Sequence, residues 1–284
     1  MKPFRWDITR REQLGSLPDV WGEISVYRGY TRDLAECAAR VLARSFNRRL
    51  VFVGRSPENI FDYLSGVLAD TVYADRLDLL NVSLRDFPDV ARIKTRKPEY
   101  YRMLCEHLDA TRLSPADIIA DPRGVCFCDL VAGGTTFEQI YTLLETRALD
   151  EGLDLAALQR KISFLGLTPR KKTSPNTWRW QQHASWVKQN RLIQVKNLSI
   201  SWLLWDYLGN WQSKTTPSHT SWRWGTKESL RPPRQYEHTK ALKQAYQIHE
   251  RARDDRPRFL RRLARTPEIK ERWLRTLIQD LKRS

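Results

Sequence analysis

The stretch that most constrains this chain is Gly124-Val125-Cys126-Phe127-Cys128-Asp129-Leu130-Val131-Ala132-Gly133-Gly134-Thr135-Thr136, followed at once by Phe137-Glu138-Gln139-Ile140-Tyr141. Residues of buried-strand character end at an aspartate, two glycines follow, and a helical pattern begins: strand, tight turn, helix. Thr135 and Glu138 have the spacing of a capping box. The glycines let the backbone approach a ligand, and amides that open a helix lack internal partners and carry the positive end of its dipole. The stretch reads as an anion cradle; its plainer reading is an ordinary strand-to-helix turn.

The preceding residues repeat the pattern. Thr31 reads as an N-cap for a helix over 32–46, with Leu34, Ala35, Ala38, Val41, Leu42 and Phe46 at helical spacing. Leu50-Val51-Phe52-Val53 is a short strand that stops at Gly54-Arg55-Ser56, and Ser56-Pro57-Glu58 starts another helix with an N-cap, a proline at N1 and an acid in the first turn. Residues 79–84 read as a third strand, Ser114-Pro115-Ala116-Asp117 as a helix start and 162–167 as a further strand. Between the third strand and Gly124 lies a long connection holding Arg92, Lys94, Arg96 and Lys97, then Tyr100 and Tyr101. Its basic part is expected to be a mobile lid and 99–110 a helix. Strands separated by helices predict an α/β fold, a parallel sheet flanked by helices, over residues 31–169. Residues 1–30, with Trp6, Trp21, Tyr27 and Tyr30 among turn residues, are expected to be an irregular N-terminal segment.

The composition changes after Pro169. Residues 160–284 hold 28 of the 49 Lys and Arg but 9 of the 33 Asp and Glu, a local charge of +19, whereas residues 1–159 sum to −3. A field of that sign attracts nucleic acid or another multiply charged anion, so RNA or DNA is the expected partner of 160–284. Eight of the 11 tryptophans fall between 160 and 225. Pairs such as Trp178-Arg179-Trp180 and Trp222-Arg223-Trp224 suit base stacking beside phosphate contacts, or packing into a core. The expected organisation is a Trp-rich basic hood over 170–225, with strand segments at 192–195 and 198–200 and a short helix at 202–208, then a basic helical tail over 226–284. In that tail Thr266-Pro267-Glu268 starts a helix whose stripe of Ile269, Trp273, Leu274, Leu277, Ile278 and Leu281 docks it.

Cys37, Cys105, Cys126 and Cys128 show no paired framework, and Cys126 and Cys128 fall on one side of one strand, so a reduced, cytoplasmic protein is expected. The histidines are scattered and no zinc spacing occurs, so no structural metal is expected. Neither a standard export signal nor a membrane-spanning run of about 18 apolar residues is read. No nucleophile elbow, Walker loop or zinc-protease pattern offers a rival enzyme class.

The motif Cys128-Asp129-Leu130-Val131-Ala132-Gly133-Gly134-Thr135-Thr136 resembles the signature of the type I phosphoribosyltransferases: a strand ending in two acids, a few apolar or small residues, a Thr/Gly-rich loop and a helix. The likeness covers about 32–168. It implies that Asp129 holds ribose hydroxyls as the catalytic acid of the site, and that Ala132, Gly133, Gly134, Thr135 and Thr136 bind the 5′-phosphate. By the same resemblance Gly54, Arg55 and Ser56 bind pyrophosphate, Arg92, Lys94, Arg96 and Lys97 belong to the catalytic loop, and 170–225 selects the base. Mg²⁺ would accompany phosphoribosyl pyrophosphate or a nucleotide, and a homodimer or larger assembly is a further expectation. Two positions depart from the signature. Cys128 stands where the first acid belongs, and Gly133 where a loop threonine does. Losing a carboxylate aimed at the developing sugar cation costs on the order of a few kcal/mol, ~10² to 10³ in rate. The activity implied is transfer or cleavage at ribose C1; the alternative is a non-catalytic nucleotide sensor or nucleic-acid-binding module. Such domains with basic helical additions also resemble effectors of bacterial anti-phage defence, including those of retrons.

Overall fold

The structure, a computed structural model, describes residues 26–84, 89–170, 180–215, 218 and 236–283. Most of the segment expected at 1–30, and both Trp-Arg-Trp pairs apart from Trp180, lie outside the described residues. Helix α1 (Tyr30–Ala43) leads to β1 (Arg49–Val53), α2 (Glu58–Val67) and β2 (Leu77–Leu80). Helices α3 (Val90–Arg96), α4 (Pro98–Ala110) and α5 (Pro115–Ala120) precede β3 (Val125–Leu130). Then come α6 (Thr135–Asp150), α7 (Leu155–Lys161), β4 (Ile162–Pro169), α8 (Ser185–Gln189) and β5 (Gln194–Ile200). After α9 (Trp202–Asp206) and a π-helical turn (Tyr207–Trp211), the chain closes with α10 (Tyr236–Asp254), α11 (Arg256–Leu263), a short 3-10 turn and α12 (Arg272–Arg283).

The five described strands form one parallel sheet in the order β2-β1-β3-β4-β5. Side chains alternate between two cores. Leu50, Phe52, Cys126, Cys128, Leu165 and Leu167 enter the layer shared with α1, α2 and the tail. Val51, Val53, Val125, Phe127, Ile162 and Phe164 enter the layer covered by the helices of the middle of the chain. Burial on both faces is why these strands read as continuous apolar runs. The strand order reverses direction between β1 and β3, and crevices that hold ligands form at the carboxyl ends of strands at such a point.

Several expected boundaries shift for identifiable reasons. Helix α1 starts at Tyr30 because Gly29, at φ 96, turns the chain, so Thr31 is not the cap. Ser56 makes no capping bond; α2 begins at Glu58 behind Pro57. Ser114 does cap α5, accepting from the amide of Asp117 at 3.1 Å. The strand expected at 79–84 is β2, which starts at Leu77 and stops at Leu80 and so leaves Asn81 and Ser83 outside the ladder. The two short strand segments of the expected hood are one strand, β5, paired with β4 from Ser163 to Pro169, so the sheet extends past the expected boundary at 169. Along the free side of β5, Arg40 Nη1 donates to the carbonyl of Ser199 at 2.8 Å and Arg44 Nη1 to that of Asn197 at 3.3 Å; Arg44 also pairs with Glu268 at 2.8 Å.

The tail is built into the domain rather than appended. Helix α10 crosses α2 at Gly66, where a Cβ would lie 2.0 Å from the carbonyl oxygen of His249. Leu274, Leu277, Ile278 and Leu281 join Phe259 and Leu263 in the first core. Full burial of each such side chain contributes roughly 2 kcal/mol. The expected helix start at Thr266 is instead the 3-10 turn, and Ile269 and Trp273 are half-buried. All four cysteines are free, and Cys126 and Cys128 share one face as expected. No described helix is long and apolar enough to cross a membrane.

Candidate functional site

A cavity of about 340 Å³ opens at the carboxyl ends of β1, β2 and β3. From the turn after β1 come Gly54, Arg55 and Ser56; after β2, Asn81, Val82, Ser83 and Leu84; from the end of β3, Asp129; and from the first turns of α6, Thr135, Thr136 and Gln139. Gly209, Lys214 and Ser218 form the opposite wall.

The turn after β1 is fixed by its backbone. Gly54 sits at φ 68, in the left-handed region where a side chain is strained, and its amide donates to the carbonyl of Leu80 at 2.8 Å. The carbonyl of Arg55 accepts from Gln212 Nε2 at 2.9 Å and from Lys214 Nζ at 3.4 Å. Lys214 Nζ also donates to the carbonyl of Leu208 at 2.7 Å. The segment after α9 is thereby clamped over this turn, and its ammonium stands in the cavity wall beside Arg55.

Asp129, the penultimate residue of β3, is half-buried, with Oδ1 accepting from the amide of Leu130 at 2.7 Å. Helix α6 then starts at Thr135 with Gly134 as its N-cap at φ 92, and the first helical bonds run from the amides of Phe137 and Glu138 to the Gly134 carbonyl, each at 3.1 Å. No capping box forms. A backbone cap at Gly134 leaves the amides of Thr135 and Thr136 ahead of the helical ladder, at the positive end of the dipole. The hydroxyls of both threonines make no hydrogen bond among the described residues.

Gly134 has a different reason to be glycine from the one its sequence suggests. A Cβ there would lie 2.5 Å from Trp180 Cε3, and one on Gly166 would lie 2.2 Å from Trp180 Nε1. The indole is fully buried between the two glycines and packs on Phe137 at a centroid distance of 5.3 Å. The missing Cβ of Gly134 makes room for a tryptophan, not for a ligand. Trp186 is likewise core, stacked on Tyr141 at 5.4 Å. Trp202 and Trp211 are exposed; Trp202 stacks on Trp205, whose indole donates to the carbonyl of Leu167 at 3.1 Å.

Of the residues expected to hold phosphate, Thr135 and Thr136 line the cavity, whereas Ala132, Gly133 and Gly134 do not. Gly54, Arg55, Ser56 and Asp129 all reach it. The basic lid residues do not. Arg92, Lys94 and Arg96 ride on α3, whose Val90 and Ile93 are buried and whose N-terminus is capped by Asp89, and Lys97 joins it to α4. Lys94 pairs with Asp150 of α6 at 2.5 Å. Cys128 faces the core, wholly buried, and its thiol is pushed well above its ordinary range by burial, so it carries no charge toward the cavity.

Sequence reading missed Asn81, Ser83, Gln139, Gly209 and Lys214. Asn81 and Ser83 were polar interruptions in an apolar run, and Gln139 follows Thr135 by one helical turn. Lys214 had no local signal, because tertiary contacts alone bring it over the β1 turn. Asn81 is also tied from behind: its carbonyl lies 3.1 Å from Nε2 of buried His107, whose pKa burial pulls down to about 4.

Among the described residues no three His, Cys, Asp or Glu side chains gather to hold a metal ion. Asp129 is the cavity's one described carboxylate, a donor set that suits Mg²⁺ only when a bound diphosphate and water complete its octahedron. Compared with family models, with curated proteins and with solved structures, the chain has no match.

Proposed function

We propose that this cleft binds the phosphorylated ribose of a phosphoribosyl compound or nucleotide, in a phosphoribosyltransferase-like domain. One observation carries the reading. Gly54–Ser56, Asp129 and Thr135–Thr136, far apart in the chain and assigned by the sequence resemblance to pyrophosphate, ribose and 5′-phosphate, line a single cavity of about 340 Å³. In this reading the amides and hydroxyls of Thr135 and Thr136 take the 5′-phosphate at the opening of α6. Asp129 accepts from the ribose hydroxyls. Arg55, Ser56 and Lys214 face the diphosphate, with any Mg²⁺ arriving on the ligand to neutralise its charge.

Were the site to turn over, the bond from ribose C1 to the pyrophosphate oxygen would break, the oxygen keeping the electron pair, as an incoming nucleophile bonds to C1. Positive charge then grows on the sugar ring, and Asp129 is the described carboxylate of the cavity aimed there. The burial of Cys128 favours binding over fast turnover, because a neutral core thiol supplies none of the stabilisation a second carboxylate gives.

Isothermal titration with phosphoribosyl pyrophosphate and Mg²⁺ tests the assignment. Binding heat is expected, weakened about 10- to 100-fold by Asp129→Asn through loss of a charge-assisted hydrogen bond. Thr135→Ala should weaken it further at the phosphate. Absence of heat, or heat unchanged by both substitutions, overturns the reading.

A further inference from the structure

The cleft occupies one end of the sheet, and a second cationic surface occupies the other. Helix α10 runs down α2, so that Arg253 pairs with Asp70 at 2.6 Å, and Tyr73, just before β2 begins, donates to Asp280 of α12 at 2.6 Å. These contacts set the corner formed by α10, α11 and α12 at the amino ends of the strands. A groove of about 680 Å³ lies there, floored by Leu260, Ile278 and Leu281 and edged by Arg253, Arg261 and Lys282.

Charge on this corner is strongly one-sided. Across 251–283, ten Lys and Arg are exposed against two exposed acids, Asp254 and Glu271, and although Arg253 pairs with Asp70 and Arg258 with Asp255, the acids do not balance the cations. Arg261, Arg265, Arg272, Lys282 and Arg283 make no side-chain ion pair or hydrogen bond with another described residue. Their helices are anchored by the buried stripe, so the cations are held at fixed spacing and repel one another until an anion arrives. Arginine predominates, and its planar fork matches phosphate oxygens two at a time.

We infer that this corner binds nucleic acid through the phosphate backbone, independently of the cleft. The composition of the face decides among polyanions. Stable binding in a membrane interface adds inserted apolar side chains to charge attraction, and the exposed large apolar residues, such as Trp202, Leu203 and Trp211, all lie outside 251–283. A specific protein interface needs a desolvated aromatic or aliphatic centre, whereas here the aliphatic groove floor is already buried under the chain's own helices. A phosphate backbone needs only the cations.

The test is fluorescence anisotropy of the full chain with single-stranded and duplex DNA and RNA of about 20 nucleotides, between about 50 and 200 mM salt. Four neutralised phosphates predict a slope of log affinity against log salt of about −3 to −4. The arms with one and two strands show which backbone fits the corner. Arg261→Glu, Arg265→Glu and Lys282→Glu together should weaken binding at least tenfold and flatten the slope, while reversal of exposed Arg102 on α4 changes neither. If the triple reversal disturbs the fold by circular dichroism, Arg261→Gln with Arg265→Gln should still cost a severalfold loss and about two units of slope. No binding, a flat slope, or neutral behaviour of the folded corner variants overturns the inference. So does competition by polyglutamate as effective, charge for charge, as the nucleic acid, which would make the partner an acidic protein.

Discussion

The turns after β1 and after β3 look alike in sequence, each a strand followed by a glycine-containing turn into a helix, yet they use glycine for opposite purposes. At Gly54 the positive φ bends the chain beside the cavity, and a Cβ would meet nothing closer than the carbonyl oxygen of Val82 at 3.7 Å. At Gly134 the positive φ coincides with a position where a Cβ would strike the buried indole of Trp180. The first turn is held from outside, by Gln212 and Lys214 reaching its carbonyl; the second is held from within, by an aromatic wedge. A glycine-rich motif therefore identifies a bend without saying whether ligand or core requires it.

The largest effect should come from the wedge. Trp180→Ala is expected to lower unfolding free energy by about 4 kcal/mol in urea titrations, as a large buried aromatic leaves a cavity. Gly134→Ala should cost about 3 kcal/mol, combining overpacking with backbone strain. Introduced together with Trp180→Ala, the same change should cost only about 1 kcal/mol more, because its collision partner is gone. Additive losses in that double-mutant cycle would dissolve the distinction between the turns.

Acid should act on the other side of the cavity. Burial pulls the His107 pKa down to about 4 from an ordinary value near 6.5, so between these values the unfolded chain takes up a proton that the folded chain refuses. Stability is therefore full above about pH 6.5, falls as pH drops toward 4, and loses on the order of 3 kcal/mol over that window. His107→Gln should flatten this part of the curve, as read by denaturation at each pH. Gly54→Ala should have the smallest effect, about 1 kcal/mol of backbone strain without a packing penalty. A loss at Gly54 as large as that at Gly134 would break the comparison.

The parallel sheet was legible because strands buried on both faces are continuous apolar runs, and Val51 and Phe127 could hardly be read otherwise. Gly54–Ser56, Asp129, Thr135 and Thr136 were legible as cavity-lining positions because each lies at the end of a strand or in the turn that carries it into a helix. What local pattern concealed was decided by distant contacts. Thr135 lost its capping role to the backbone of Gly134, the basic stretch at 92–97 became a helix docked through Val90 and Ile93, and Trp180, for which base stacking and core packing both stood open, is the wedge beneath α6. Lys214 enters the cavity through hydrogen bonds to Leu208 and Arg55, which no spacing encodes.

Arg40 of α1 and Arg44, which caps it, bear on how the molecule meets its own copies. A terminal strand with open carbonyls is a template on which another chain can lay a further strand. Here Ser199 and Asn197 already have guanidinium donors, one of them braced by Glu268. A second molecule growing the sheet from this side would have to strip those charge-assisted bonds before making any of its own. Replacing Arg40 and Arg44 by alanine would unblock that side, so the obstacle to strand addition there lies in a helix and its cap, not in the strand itself.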